Sequence, residues 1–309
     1  MCGFAGFVGK LDEKEQVLTS MMDTIVHRGP DSAGMYCDEE VALGFRRLSI
    51  IDITESGDQP LYNEDKSKVL VFNGEIYNYQ ELRRELIEAG HVFQTNTDSE
   101  TLLHGYEEWG TLLLKRLRGM FAFVIWDCKE KKMFAARDMF GIKPFYYAQM
   151  NGTLLFGSEI KSFVEHPHFD KVFNEKALGN YLSFQFVPTN ETFFKGVFCL
   201  QPGYYMTYEN GILELKRYFE PKFHEKTDRS FEEVVDDVER VMKESVEMHK
   251  ISDVEVASYL SSGVDSSYLT YLSQVDHTFT VGFDEQKYSE IQDAKEFADS
   301  IQMENDSKV

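Results

Sequence analysis

The chain opens with MCGFAGFVG, which puts a cysteine directly after the initiator methionine. Two readings of Cys2 are open. Free cysteine is mostly buried and inert, so a short first strand with an inward thiol is one of them. The other is an N-terminal nucleophile, exposed when Met1 is removed. No Ser/His/Asp arrangement is legible elsewhere, and the eight histidines lack metal-ligand spacing, so no metal site is expected. Four other polar clusters border apolar runs: HRGPD (His27–Asp31), Arg46 and Arg47 in FRRLSI, FNGEIYN (Phe72–Asn78), and TDSE (Thr97–Glu100). Each also has a modest reading: Asn73-Gly74 as a hairpin turn, Asp98 as a helix cap, and the arginines as solvated charges. Near the C-terminus, SSGVDSS (Ser261–Ser267) lies between a strand-like and a helix-like segment. Backbone N–H groups at such a helix start favour an anion, although an ordinary turn would use the same residue types. No Gly-Lys-Ser/Thr follows, so it is not a Walker loop.

The segments that must carry these residues alternate between short strands and helices. CGFAGFVG, VALGF, SKVLVFNG, MFAFVIWD, KMFAARD, PFYYAQM and TLLFGS read as strands bounded by turn residues. EKEQVLTSMMDTIVHRG places Leu18, Met21, Met22, Ile25 and Val26 on one helical face. NYQELRRELIEAG is a helix ending at Gly90, and DSETLLHGYEEWG another, capped by Thr97 or Asp98. Many strands with helices between them predict a layered domain on largely antiparallel sheets. Composition shifts at EPKFHEKTDRS, after which Ser230 is placed to cap FEEVVDDVERVMKESVEMHK. Strand, turn, helix, strand and helix then follow, the opening of a parallel nucleotide-binding type of sheet.

Composition narrows the function classes. The 309 residues suit two domains, and 42% hydrophobic with 14% aromatic residues is enough for packed cores. A net charge of −21 disfavours nonspecific binding to nucleic acid or to anionic membrane. The four cysteines (Cys2, Cys37, Cys128, Cys199) are widely spaced without CxxC pairs, which fits a reducing compartment better than a disulfide scaffold. No secretory leader is legible, and the longest apolar run, Met120–Trp126, is far shorter than the ~18 residues of a span. A cytoplasmic location is expected.

Taken together, MCGFAG, HRGPD, RLSIID, QPLYN, NGEIYN, TDSE, GMFAF, RDMFGIKP, SEIK and SSGVDSS resemble the glutamine-hydrolysing asparagine synthetases, over essentially the whole chain. The resemblance implies an α+β fold: a four-layer αββα N-terminal-nucleophile hydrolase domain followed by a truncated α/β adenine-nucleotide alpha-hydrolase-like domain. It implies that Cys2 attacks the side-chain amide of glutamine while its own α-amine takes and returns the proton. An α-amine near ~7.7–8.0 and a thiol near ~8.5 suit that exchange without a histidine. It implies an oxyanion hole from the Asn73 side chain and the Gly74 N–H. Arg47 would grip the glutamine α-carboxylate, Asp98 with Glu75 its α-ammonium, and Leu48, Ser49, Ile50 and Ile51 would line the pocket. In the second domain Ser261, Gly263, Asp265, Ser266 and Ser267 match the pyrophosphate loop, and Leu260 and Val281 the adenosine positions.

The expected division is a glutaminase domain over 2–210, a linker over 211–230 and an incomplete synthetase domain over 231–309. Expected partners are glutamine, aspartate and ATP, with Mg²⁺ for the synthetase half-reaction and no cofactor for the glutaminase; a homodimer is left open, with no nucleic-acid or membrane partner. Two departures stand out. Ser262 occupies a position where the family has glycine, which weakens the loop if φ > 0 or close approach by a phosphate is needed there. The chain also stops at Val309, soon after the second expected strand of its second domain, so glutaminase activity alone is expected of it. The alternatives are an amidotransferase with a different acceptor, and a noncatalytic partner-binding module.

Overall fold

A computed structural model describes residues 2–225, 228–285, 287 and 289–309. The chain forms two compact units, Met1–Lys222 and Phe223–Val309.

The first unit holds twelve of the strands. One six-stranded sheet runs β10 (Val197–Cys199), β8 (Tyr146–Met150), β9 (Thr153–Gly157), β1 (Gly3–Val8), β3 (Val41–Arg47), β2 (Ser32–Cys37). The other runs β12 (Ile212–Arg217), β11 (Tyr204–Glu209), β7 (Lys132–Arg137), β6 (Gly119–Asp127), β5 (Lys68–Ile76), β4 (Leu61–Tyr62). Every pairing in both is antiparallel.

Period-two alternation decides which side chain enters which layer. From β1, Phe4 and Val8 point to the core between the sheets, where they meet Val69 and Val71 of β5 and Val124 and Trp126 of β6. Ala5 and Phe7 point the other way, onto Leu18, Met21 and Met22 of α1 (Lys14–Asp23). Against β5 of the second sheet packs α3 (Asp98–Trp109), with α2 (Tyr79–Glu88) beside it. Helix, sheet, sheet, helix is the four-layer order. The helix read through Gly29 is shorter than expected, ending at Asp23 with a separate turn at Val26–Arg28. A further helix, α4, covers Glu175–Phe184.

The linker drawn over 211–230 requires correction. Residues 212–217 are β12, paired along its whole length with β11, so the first unit continues to Lys222. The charged residues of ILELKR concealed a solvent-facing edge strand, on which charge is the normal safeguard against stray pairing.

The second unit begins with α5 (Phe231–His249), capped by Ser230 and Glu233 in a reciprocal box as its sequence predicts. A parallel sheet follows, β13 (Ser258–Tyr259), β14 (His277–Val281) and β15 (Glu304–Lys308), with α6 (Val264–Ser273) and α7 (Ile291–Ser300) between its strands. Two expectations change here. VEVASYL contributes only two strand residues, and the polar ENDSK, unread as a strand, pairs over all five residues with β14. No helix among the described residues is long and apolar enough to cross a membrane.

Candidate active site

The site begins where β1 begins. The Arg28 Nε donates to the Cys2 carbonyl at 2.9 Å; the Phe4 carbonyl accepts the Ser158 N–H at 2.9 Å, and the Phe4 N–H donates to Ser158 Oγ at 3.1 Å. Gly3 is needed here because a Cβ would lie 2.7 Å from Arg28 Cδ. The chain end is thereby fastened, and the thiol lies against Leu48, whose N–H is 3.3 Å and carbonyl 3.4 Å from Sγ. Burial pushes the Cys2 thiol up, with the Leu48 amide, Arg47 and Lys143 opposing it. A thiol so placed is protonated at neutral pH and needs a base before it can attack. None of the described residues lining its pocket is a histidine.

Facing it is the C-terminal half of β5. Asn73 is 1% exposed and its Nδ2 has no hydrogen-bond partner among the described residues. A buried donor without an acceptor costs about 1–3 kcal/mol, so its retention calls for an explanation. The neighbouring Gly74 follows from strand parity. Phe72 donates its N–H to Gln59 Oε1 at 2.6 Å and Ile76 donates to Asp98 Oδ2 at 2.8 Å, both on the edge of β5 away from β6. Gly74, midway between them, directs its N–H to that same edge. Phe121 of β6, opposite Gly74, bonds with Asp138 instead. A Cβ at residue 74 would lie 2.2 Å from the Met120 carbonyl oxygen, so only glycine fits. Asn73-Gly74 is therefore not a hairpin turn. It is a strand edge presenting two N–H donors beside the thiol.

The same pocket is lined by Arg47, Leu48, Ile50, Ile51, Glu75, Asp98 and Lys143, with Gln59, Thr97 and Ser99. Arg47, the last residue of β3, bonds the Thr54 carbonyl and Asp58 Oδ1 through Nη1, at 2.7 and 2.8 Å, and also holds the Asp52 carbonyl. It shapes the loop over 51–58 as well as facing the cavity. Asp98 starts α3, behind the cap formed by Thr97 on Glu100 N–H. Burial pushes its carboxyl up to about 6, although the Ile76 N–H favours the charged form. Glu75 is raised to about 7 by burial and by Asp98, with Lys143 opposing. A cation placed between these two carboxyls would relieve both. Ser49 stands apart from the other loop residues assigned to the pocket: its N–H bonds Asp31 Oδ2 at 2.8 Å and it is not in the wall.

Lys143, Gln59 and Arg28 carry roles that the residue-by-residue reading did not assign. Lys143 is 3% exposed, and burial lowers its pKa while Glu75 and Cys2 raise it. Its motif RDMFGIKP was legible, but only the fold brings that turn to the thiol.

In the second unit, Leu260 is buried, with its N–H on the Phe279 carbonyl at 2.9 Å. Val281 is the exposed last residue of β14. The Ser261 and Ser266 hydroxyls pair at 2.7 Å, and Ser261 Oγ accepts the Gly263 N–H at 3.2 Å. Gly263 precedes α6 without any side-chain cap, leaving the first-turn amides beyond Val264, around Asp265, without a capping acceptor. Ser267 makes the first helical bond, to the Gly263 carbonyl at 3.1 Å. Ser262 is not among the residues with positive φ, so its backbone does not require glycine. Its N–H contacts Glu290 Oε2 at 3.3 Å.

Comparison with known proteins fits this arrangement. Residues 1–219 match the glutamine amidotransferase domain family and residues 237–309 the asparagine synthase family. The chain is 43% identical over 319 aligned residues to asparagine synthetase [glutamine-hydrolyzing] 1 of Bacillus subtilis, covering 100% of this chain and 50% of that protein. It is 36% identical to amidase chyE of Penicillium rubens, covering 86% of this chain and 42% of that one. The chain thus spans about half the length of the curated relatives it matches. Among solved structures it is similar to glutamine phosphoribosylpyrophosphate amidotransferase from B. subtilis, with a TM-score of 0.54 at 17% identity, covering 99% of this chain and 65% of that one. That likeness carries the fold of the class-II amidotransferases. The chain belongs to the glutamine amidotransferase family, as a homologue of the glutamine-hydrolysing asparagine synthetases, which join this domain to an asparagine synthase domain.

Proposed function

We propose that the first unit hydrolyses glutamine at Cys2 and supplies ammonia for the ATP-dependent amidation of aspartate. The observation that carries the reading is Asn73 Nδ2, without a hydrogen-bond partner among the described residues, in a pocket lined also by Cys2, Arg47 and Asp98. Removal of Met1 would free the Cys2 amine, which takes the thiol proton as sulfur attacks the side-chain carbonyl carbon. The oxyanion formed would receive Asn73 Nδ2–H and Gly74 N–H. Return of that proton to nitrogen expels ammonia and leaves a γ-glutamyl thioester. Water, deprotonated by the same amine, then releases glutamate and restores the thiol. Arg47 holds the α-carboxylate, and Asp98 with Glu75 the α-ammonium, whose positive charge their raised pKa values invite.

ATP would enter the second unit as substrate. The residues present fit its phosphates: an uncapped ten-residue helix start with Ser261, Ser266 and Ser267 around it, and a glycine at residue 263, where a Cβ would lie 3.3 Å from Ser261 Oγ. Mg²⁺ would arrive on those phosphates. Aspartate would be activated as β-aspartyl-AMP for attack by ammonia, with AMP and pyrophosphate leaving. A different acceptor is the second reading, favoured by the likeness to a protein named an amidase.

The test is glutamate release from glutamine by the purified chain, with intact-mass analysis of its N-terminus. Protein lacking Met1 is expected to be active and Cys2→Ala inactive. Full activity in protein that retains Met1 would overturn the amine as base. Aspartate, ATP and Mg²⁺ added to the same assay would report asparagine and AMP, the acceptor reaction.

A further inference from the structure

Two of the histidines, which show no ligand spacing along the chain, come together at one place in the first unit. His104 lies on α3, His91 follows α2, and Glu64 sits in the turn between β4 and β5. One donor atom from each lies within 4.8 Å of the other two. We propose that Glu64, His91 and His104, completed by Glu107, form a zinc site that ties these three segments together.

His104 has the surroundings of a ligand. It is 1% exposed, with Nδ1 3.1 Å from Glu107 Oε2 and 3.8 Å from Glu64 Oε2. Four-coordinate zinc with bonds of about 2.0–2.1 Å places its donors about 3.3–3.5 Å apart, so these two separations are already near the edge of such a tetrahedron. On the far side of the ring, Nε2 makes no hydrogen bond of good geometry and is 3.5 Å from Glu100 Oε1. A carboxylate behind the second ring nitrogen is the usual partner of a metal-bound histidine, setting the tautomer that leaves Nδ1 free to bind. Glu100 is itself fixed by the N–H groups of Gln94 and Thr95, each at 2.7 Å.

The other members are placed to close the shell. Asn63 Nδ2 holds Glu107 Oε1 at 2.7 Å, leaving Oε2 turned to His104. The His91 and His104 ring centroids are 5.0 Å apart, and Phe93 packs edge-on against His104 at 4.7 Å as an apolar wall. Glu64 is the exposed member, its side chain 39% accessible on a turn, so it can swing in and contract the cluster. Glu64, Glu100, Glu107 and Glu108 surround the two imidazoles, while Lys68 is 4.0 Å from Glu107. That surplus of negative charge attracts a divalent cation, and imidazole with carboxylate suits zinc. The site braces the middle of α3, whose first turn carries Asp98.

The experiment is calorimetric titration of the full chain with zinc chloride alone, together with the visible spectrum after addition of cobalt(II). One equivalent should bind, and cobalt should give four-coordinate d–d bands without a thiolate charge-transfer band. Glu64→Gln and His91→Ala, both outside the tightly packed interior, should weaken zinc by more than the about 10–100-fold expected for the outer-shell Glu100→Gln. Zinc should raise the Tm of the parent and not that of His91→Ala. Affinity unchanged in His91→Ala and Glu64→Gln, a cobalt–thiolate band, or no stoichiometric binding would each overturn the site.

Discussion

Asn73 separates catalysis from stability more sharply than any other residue of the pocket. Its Nδ2–H is buried with no acceptor among the described residues, a standing cost of about 1–3 kcal/mol in the resting protein. Truncation to alanine removes that cost and forfeits the packing of the carboxamide, a term of opposite sign and similar size. The two nearly offset. Asn73→Ala should therefore shift Tm by no more than about 2–4 °C, which is what ~1 kcal/mol does in a domain of roughly 150–250 residues. Glutamine turnover should fall far more. The orphaned donor gains an acceptor only when the oxyanion forms, and loss of one such donor costs about 10²–10³ in kcat, or roughly 2.7–4 kcal/mol. KM should change little, because the substrate's other end is gripped elsewhere. Asn73→Leu, closer in volume and wholly apolar, should keep or raise Tm with the same loss of kcat. The assays are steady-state glutamate release by protein lacking Met1 and a thermal melt of each variant. A kcat within about threefold of the parent, or a kcat loss accompanied by a Tm drop beyond about 10 °C, would refute the assignment.

Other expectations concern the grip on substrate and the thiol. Arg47→Ala should raise KM for glutamine and also lower Tm, since the same guanidinium holds the Thr54 carbonyl and Asp58; Arg47→Lys, lacking the two-pronged geometry, should recover little of either, as steady-state kinetics and melts would show. KM should rise as pH falls through about 7 and then about 6, where Glu75 and Asp98 lose the charge that holds an ammonium; Asp98→Asn should remove the lower bend from a KM–pH profile. Stability runs the opposite way. Both folded-state pKa values lie above the unfolded ones near ~3.9–4.3, so the stabilising contribution is fully present below about 4 and is lost as pH rises to about 7; the Tm of Asp98→Asn should therefore decline less than the parent's across that window. Lys143→Met should move the pH midpoint of Cys2 alkylation upward, because a cation that favours the thiolate is gone; an unmoved midpoint would remove Lys143 from the thiol's surroundings.

The sequence alone determined the local grammar of this protein and the family to which it belongs. Cys2 beside Met1, the capping residues Thr97 and Ser230, Gly90 after α2, and the apolar runs of β1, β5 and β6 bounded by turn residues all act over a few residues. Such signals survive in a linear reading because backbone hydrogen bonding and side-chain period are local properties. Motif resemblance then assigned roles that no single residue could claim. Only the tertiary structure decided the rest, because it depends on partners remote in the chain. Asn73-Gly74 has the composition of a turn, and it became a strand edge because β6 pairs through it and Gln59 and Asp98 take the edge groups on either side. ILELKR falls in the expected linker and ENDSK does not read as a strand, and both became strands because each found a neighbouring edge whose backbone groups needed pairing. Lys143 reached the thiol, and Glu64, His91 and His104 reached one another, because the layers fold segments together that sequence spacing keeps apart. Burial, which sets the pKa of Cys2, Glu75 and Asp98, is a property of that packing and is written in no single stretch of residues.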